Sequence, residues 1–271
     1  YLSLFPSFSI NGNFDENQYK FSYSSRIKRP RYLNLNPFYE YVDTYNISIG
    51  NPNLQPAFTD AFEITWVNNY NTSISLYSNF TNGEIYSILD YDETTKITTS
   101  YNENIGKSVR AGITFNTTIQ LSKIWETSLY ADASFGQAKS DLQNYKFNDS
   151  GFGFYGSIDQ NFKFKNGYVL NWNSYYSTDG PYGNSRFKPT YDMSFSLKKD
   201  FFDKKLRANL QASSVLKRSA WNEITTQDSV KTHWKNAHEM RRFTLSLTYN
   251  FGNGKKKNVK SADVRDEQRR L

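Results

Sequence analysis

Two histidines, His233 and His238, lie in the segment "VKTHWKNAHEM" beside Glu239, the first place to look for metal or acid–base chemistry. Their spacing does not match H-E-x-x-H, in which histidines at i and i+4 share one helix face and hold zinc. Solvated loop residues are the favoured reading, and no metal or cofactor is expected. Neither a G-x-S-x-G elbow nor a P-loop occurs, so acyl and phosphoryl transfer lack their usual nucleophile and phosphate cradle. Gly151, Gly153 and Gly156 make a lone glycine-rich run, better explained by a bend or a close backbone approach than by phosphate binding. Cysteine is absent, which excludes disulfides and thiolate metal sites. What remains is binding chemistry. Tyr39, Tyr41 and Tyr45 crowd one connecting segment, and Trp221, His233 and Trp234 lie in another. Charges recur on the polar phase of alternating segments: Arg26, Lys28, Arg110, Asp132, Asp159 and Lys163. No catalytic residue is expected, and the chain is not read as an enzyme.

The alternation that positions these residues is clean. In "SVRAGITFNTTIQL", Val109, Ala111, Ile113, Phe115, Ile119 and Leu121 share one face; Arg110, Gly112, Thr114, Asn116, Thr118 and Gln120 share the other. The same pattern sets Trp125, Leu129, Ala133 and Phe135 against Glu126, Ser128, Asp132 and Ser134. It also sets Phe243, Leu245, Leu247, Tyr249 and Phe251 against Arg242, Thr244, Ser246, Thr248 and Asn250. Period two over ten or more residues means strands with one apolar and one polar face. About eleven are expected, near 1–10, 18–28, 57–68, 72–91, 97–120, 124–138, 151–165, 168–178, 189–199, 204–217 and 241–251. Most are as long as the roughly 9–11 residues that cross a bilayer obliquely.

Composition agrees with a membrane wall. Aromatic residues make up 17% of the chain while mean hydropathy is only -0.74. A barrel needs apolar residues at alternate positions only, so window averages stay low. No run approaches the roughly 20 apolar residues of a membrane helix. The net charge of +7 points away from nucleic acid by its distribution: residues 253–271 hold seven Lys/Arg against three Asp/Glu, so the basicity is a tail rather than a patch.

Connections alternate between short turns ("NGNFDEN", "VNNYN", "LSK", "KNG", "KDFFDKK") and longer segments at 29–56, 92–96, 139–150, 179–188 and 218–240. Outer-membrane barrels keep short turns periplasmic and long loops outside, which puts the C-terminal tail in the periplasm. Trp66, Trp125, Phe164, Tyr168, Tyr249 and Phe251 fall at short-turn ends, and Phe135, Phe152, Phe154, Tyr176, Tyr191 and Phe243 at long-loop ends. Two aromatic belts around an aliphatic middle are what lipid interfaces select. The expected fold is therefore all-β, a transmembrane antiparallel β-barrel in the bacterial outer membrane. Residues 1–252 form the wall and 253–271 a disordered basic tail. A single-chain bacterial barrel has an even strand number with both ends inside. About eleven strands, the first starting outside, are expected to be the C-terminal half of a larger barrel. A lipase in such a wall would need an activated serine and a histidine on the lipid face, and neither histidine lies in an expected strand.

The order "LFPS" (4–7), "YSSRIKRP" (23–30), "LNPF" (35–38), "GNPNLQP" (50–56) and "FEITW" (62–66) resembles TonB-dependent receptors of Bacteroidota. More narrowly it is similar to their outer-membrane β-barrel family, through "SYNENIGKS" (100–108) to the closing "FTLSLTYNFG" (243–252). The family usually has Glu after the second proline of "GNPNLQP"; this chain has Ala57. The resemblance implies a barrel of about 22 strands around an N-terminal plug that TonB reaches, energy-coupled uptake of a ligand, and a "GNPNLQP" segment that turns a surface loop back into a strand. Neither plug nor TonB-contacting segment is recognisable in these residues. A barrel that anchors partners in a surface complex without transporting is the second reading. Expected partners are outer-membrane lipid, TonB through the plug, and a surface lipoprotein. The aromatics of 29–56 and 218–240 would stack on a ligand, sit under a lipoprotein lid, or pack among the loops. Arg110 and Asp132 would contact ligand in the lumen or line a solvated wall that seats the plug.

Overall fold

The computed structural model describes residues 4–69, 71–142, 145–178, 181–182, 185–216, 221–227, 230–236 and 241–251. His238 and the tail 253–271 lie outside them. The strands are β1 (Ser7–Phe14), β2 (Asn17–Lys28), β3 (Tyr39–Tyr41), β4 (Asn46–Ile49), β5 (Ala57–Asn68), β6 (Thr72–Tyr91), β7 (Thr98–Ser122), β8 (Trp125–Leu142) and β9 (Tyr145–Lys163). They continue with β10 (Tyr168–Ser177), β11 (Pro181–Tyr182), β12 (Ser185–Phe187), β13 (Thr190–Phe201), β14 (Leu206–Ser213), β15 (Trp221–Gln227), β16 (Val230–Asn236) and β17 (Arg242–Tyr249). One short helix, α1 (Tyr32–Leu35), precedes β3.

Eleven strands form a single path, β1-β2-β5-β6-β7-β8-β9-β10-β13-β14-β17, each hydrogen-bonded to the next. Every neighbouring pair along this path is antiparallel. Register confirms the two faces, because directly opposed residues point the same way. Phe21, Ile64, Leu76, Ile113 and Ala133 form one continuous apolar row. Ser22, Glu63, Tyr77 and Gly112 form the polar row beside it. Aromatic pairs mark both ends of the apolar face: Trp125 stacks on Phe162 at 5.6 Å at the short-turn end, and Phe135 meets Phe152 at 5.2 Å at the long-loop end.

Several boundaries differ from expectation. β1 starts at Ser7, and "NGNF" is strand rather than turn. Its turn is Asp15–Glu16, with Asp15 at a φ of 51° that an aspartate tolerates. The expected loop 139–150 is largely hairpin: β8 continues to Leu142 and β9 begins at Tyr145. A small apolar cluster explains the extension of β6–β9. Tyr86, Ile88 and Ala138 are buried, with Tyr101 and Phe147 packed against them and Tyr86 edge-on to Phe147 at 5.7 Å. The segment 29–56 contains α1 and the β3–β4 hairpin, and Asn46–Ser48 of β4 pairs in parallel with Thr98–Ser100 of β7. The described parts of 179–188 and 218–240 are likewise not loops. They build a separate four-stranded sheet, β11-β12-β15-β16.

The connector "GNPNLQP" proves to be one half of a clamp. Its other half is "SYNENIGKS". Asn51 Nδ2 donates to the Asn102 carbonyl at 3.2 Å and to Glu103 Oε2 at 2.9 Å. The Gln55 amide donates to Asn104 Oδ1 at 2.7 Å, and Asn104 Nδ2 donates to the Gln55 and Gly83 carbonyls, both at 2.8 Å. Gly83, at a φ of +70°, is the bulge of β6, where the pairing with β7 shifts register. Leu54 and Ala57 beneath the clamp are buried, at 6% and 0% exposure. A third motif closes it from above: the Gly50 and Asn51 amides donate to the Asn36 and Asn34 carbonyls at 2.8 and 2.7 Å. A Cβ on Gly50 would stand 2.3 Å from the Asn36 oxygen and 2.6 Å from its nitrogen, both backbone atoms that cannot swing away. Gly50→Ala is therefore expected to cost about 1–3 kcal/mol, the usual range for overpacking. Faster hydrogen exchange at Asn51 and Gln55 in the variant would register it; unchanged exchange would mean the clamp accommodates a methyl group.

Candidate functional site

The polar face carries its densest chemistry on β6–β10. Thr114 of β7 stands opposite Asp132 of β8, and Asp132 opposite Tyr155 of β9. Arg110, four residues from Thr114 on the same face, brings Nη2 to 3.0 Å of Asp132 Oδ1. The Tyr77 hydroxyl donates to the other carboxylate oxygen at 2.8 Å. Asp132 is thus satisfied and 7% exposed, while the Arg110 side chain is 60% exposed and keeps donors free for the lumen. Gly112 makes this arrangement possible. A Cβ there would lie 2.7 Å from the Tyr77 hydroxyl and 2.8 Å from the Ala133 carbonyl oxygen. Tyrosines continue the wall: Tyr130 meets Tyr155 edge-on at 5.8 Å, and Tyr155 stacks on Tyr175 at 6.0 Å.

Two clefts open on this face, with Arg110 between them. One, of about 480 Å³, lies against Arg26, Lys28, Glu84 and Tyr86. Lys28 Nζ pairs with Glu84 Oε1 at 3.3 Å, and Ser108 donates to Glu84 Oε2 at 3.1 Å. The other, of about 380 Å³, has a floor of Gly136, Gly151 and Gly153 and a rim from the second sheet, Phe187, Lys188 and Asn222. Two of those glycines, Gly136 and Gly151, are directly paired. Their missing side chains give the cleft its depth. No bulge interrupts β9 through Gly151, Gly153 and Gly156, and a Cβ on Gly153 would meet nothing closer than 3.6 Å. Gly156 is crowded, at 3.0 Å, but by the Phe154 ring on the apolar face. No bend marks the run, and at Gly153 and Gly156 no close backbone approach accounts for the glycine.

Of the residues singled out from sequence, the structure joins Arg110 and Asp132 directly. His233 and Trp234 sit on β16, where the His233 ring nitrogen Nε2 hydrogen-bonds Asn222 Oδ1, and Trp221 begins the partner strand β15. Asn222 also lines the second cleft, so this hairpin reaches the same space as Arg110 and Asp132. Tyr39, Tyr41 and Tyr45 belong to the separate β3–β4 hairpin and are 60%, 77% and 62% exposed. They are bound to the wall through β7 rather than to the other aromatics. Asp43 shapes their turn. The Tyr45 amide, the Asn46 side chain and the Asn46 amide all donate to its carboxylate, which holds its pKa below the ordinary value. Asp92, held by the Thr95 hydroxyl and the Thr94 and Thr95 amides, is lowered in the same way. A carboxylate depressed in the folded state stabilises above its unfolded pKa near 3.9 and loses that contribution as pH falls through the lower native value. Both turns are thus expected to loosen only in acid, below about pH 4. Amide exchange at Tyr45 and Thr94 that stayed constant from pH 6 to pH 3, after intrinsic correction, would contradict this.

Other wall residues emerge only from the coordinates. Asp192 accepts from Ser214 through Oδ2 at 2.9 Å, while its Oδ1 is buried without a hydrogen-bond partner among the described residues. Glu84, Tyr155 and Lys188 also line the clefts. Polar phase along each strand was the available signal, but it marks every lumen position equally. Among the described residues no group of His, Asp and Glu could hold a metal ion.

Eleven antiparallel strands with one apolar face, belted by aromatics, and one polar face with ion pairs define the wall of a transmembrane β-barrel. The chain belongs to the outer membrane protein beta-barrel family, which it matches over residues 1–249. Comparison with curated proteins returned no match. Among solved structures, it is similar to a mutant of the ferric enterobactin receptor from Pseudomonas aeruginosa, determined in complex with enterobactin. That similarity has a TM-score of 0.59 at 12% identity, covering 91% of this chain and 40% of the receptor chain. At such identity the likeness is one of fold. This chain spans about two fifths of that receptor's length.

Proposed function

We propose that the chain is the C-terminal portion of an outer-membrane TonB-dependent receptor barrel that takes up a ligand by energy-coupled transport, in a member of the Bacteroidota. The observation that carries the reading is the polar face. Arg110, Asp132, Glu84, Tyr86 and Tyr155 line two clefts at the long-loop end, and the second sheet roofs one of them. A wall built to seat a plug and pass a solute needs such a face, and the fold likeness to a receptor supports it. In this reading the long-loop end faces the outside, the tail 253–271 lies in the periplasm, and TonB acts through a plug upstream of these residues. The ligand is held between the Arg110 region and the β15–β16 hairpin. The protein carries no catalysis of its own.

The exposed β3–β4 hairpin favours a second reading. Phe38, Tyr39, Tyr41 and Tyr45 present aromatic surface to solvent, which suits a docked lipoprotein in a complex that anchors without transporting. One experiment separates the two. The full-length protein, purified from outer membranes after mild cross-linking, should carry TonB in stoichiometric amount if it transports. A lipoprotein in place of TonB would overturn the transport reading and leave the anchor.

A further inference from the structure

Two arginines on the polar face converge on one space. Directly opposed residues share a face, so strand pairing fixes two polar rows across β2, β5, β6 and β7. The row nearer the long-loop end is Arg26, Thr59, Thr81 and Ser108. The row below it is Ser24, Ala61, Asn79 and Arg110. Arg26 Nε donates to the Ser24 hydroxyl oxygen at 3.0 Å, which draws its side chain down to the row that Arg110 occupies. Between Ser24 and Arg110 that row offers only a methyl group, from Ala61, and the Asn79 amide. Three strand spacings, about 14 Å at roughly 4.8 Å each, separate the two backbones. Both long side chains line the cleft of about 480 Å³ that spans this gap.

The carboxylates around the gap are already held. Glu84, which lines the same cleft, takes Lys28 Nζ at 3.3 Å and the Ser108 hydroxyl at 3.1 Å. Asp132, on the far side of Arg110, takes Arg110 Nη2 and the Tyr77 hydroxyl. Asp149 continues the upper row beyond Ala138 and is bound by Arg186. Glu63 is opposite Ser22, four residues below Arg26 on β2 or about 14 Å along the strand, and accepts from Thr65. Arg26 forms no ion pair among the described residues, so its Nη1 and Nη2 join the Nε and Nη1 of Arg110 as donors facing the gap. The floor adds another. Thr59 and Thr81 bond each other through their hydroxyls at 2.9 Å, and whichever accepts keeps its own proton to donate.

We propose that Arg26 and Arg110 form a binding site for a small phosphate-bearing solute in this cleft. Guanidinium forks match phosphate oxygens in pairs. A phosphate monoester presents three such oxygens, which two forks and a hydroxyl satisfy more fully than they would the two of a carboxylate. The volume lies within the range of about 300–1,000 Å³ usual for small-molecule sites, which leaves room for a sugar-sized body beside Gln137. The inference rests on the facing of the polar phase and not on transport, since an anchoring barrel would bind the same solute. It is also separable from a ligand under the β15–β16 hairpin, because Arg26 lines the first cleft and not the second.

The test is calorimetric titration of the full-length protein in detergent, with glucose 6-phosphate as probe and glucose as its uncharged counterpart. The phosphate ester should bind at least about tenfold more tightly, the factor that a charge-assisted contact contributes. Arg26→Gln should erase that preference. Lys163→Gln, which removes a cation paired with Glu126 at the short-turn end of the same face, should leave it unchanged. Heat-modifiable migration of each variant checks that the barrel is folded. Equal affinity for the ester and for glucose, or an undiminished preference in Arg26→Gln, would overturn the site. Citrate binding as tightly as the ester would overturn the phosphate assignment, and inorganic phosphate doing so would overturn the role of the organic body.

Discussion

Ile113→Arg is expected to cost about 2–4 kcal/mol of barrel stability, the range for an arginine facing lipid near the bilayer midplane. Ile113 lies in the apolar row between Leu76 and Ala133 and is 44% exposed, so a guanidinium there would have hydrocarbon around it and no partner on the wall. Its neighbour Thr114 is the internal control. Thr114 is directly opposite Ser75 and Asp132 on the polar face. Thr114→Arg would meet water and a carboxylate, and should change stability by less than about 1 kcal/mol. The two substitutions differ by a single step along β7, and period two turns that step into a change of solvent. Urea titration of the full-length protein folded into vesicles measures both. Equal costs, or the larger cost at Thr114, would reverse the assignment of the faces.

The same period explains how much of this protein was legible in its sequence. Each of the eleven strands of the main path overlaps the segment where alternation places it, with β1 shifted to Ser7–Phe14, because burying one face against lipid forces a strict apolar phase. Extensions beyond the membrane had no such constraint. "AKSDLQNYKFND" offers few apolar residues, yet β8 and β9 run through most of it because Ala138 and Phe147 join Tyr86, Ile88 and Tyr101 in a cluster contributed by four strands. No local pattern could reveal that cluster. The second sheet was more readable than its treatment as loops allowed: "WNEITTQ" and "VKTHWKN" alternate, but without lipid their alternation is between polar residues of different size. At the site, the Arg110–Asp132 pair was foreseeable as two charges on one phase of adjacent strands. The part played by Gly112 was not, since it depends on a tyrosine from β6 lying across β7. The clamp shows the opposite case. Neither "GNPNLQP" nor "SYNENIGKS" shows by itself that the two meet; the fold joins them by hydrogen bonds between Asn51, Gln55, Asn102, Glu103 and Asn104.

Expressed alone, residues 1–271 are expected to aggregate or stay out of the membrane, whereas co-expression with the complementary strands of the full-length protein should restore insertion. The reason is at the two ends of the sheet. β1 pairs with β2 and β17 with β14, and among the described residues neither has a second neighbour. All of β1 is exposed, and β17 is exposed at every position but Thr244. In hydrocarbon each unpaired N–H or C=O costs several kcal/mol, so an eight-residue edge left open on each side is far beyond the stability of a domain. Pro6 offers little relief. It precedes β1, and its carbonyl is already bonded to the Ser25 amide at 2.9 Å. Nor does pairing β1 with β17 within one chain solve the problem at this size. Both run from the long-loop end to the short-turn end, so the seam would be parallel and the barrel odd-numbered, against the even, antiparallel rule of bacterial single-chain barrels. Pairing of β1 and β17 with further strands is therefore the expected route to closure. Gel mobility before and after heating, with carbonate extraction of membranes, reads the outcome. A monomeric, heat-modifiable, membrane-inserted barrel from 1–271 alone would show that the two edges can meet, and the larger barrel would lose its physical necessity.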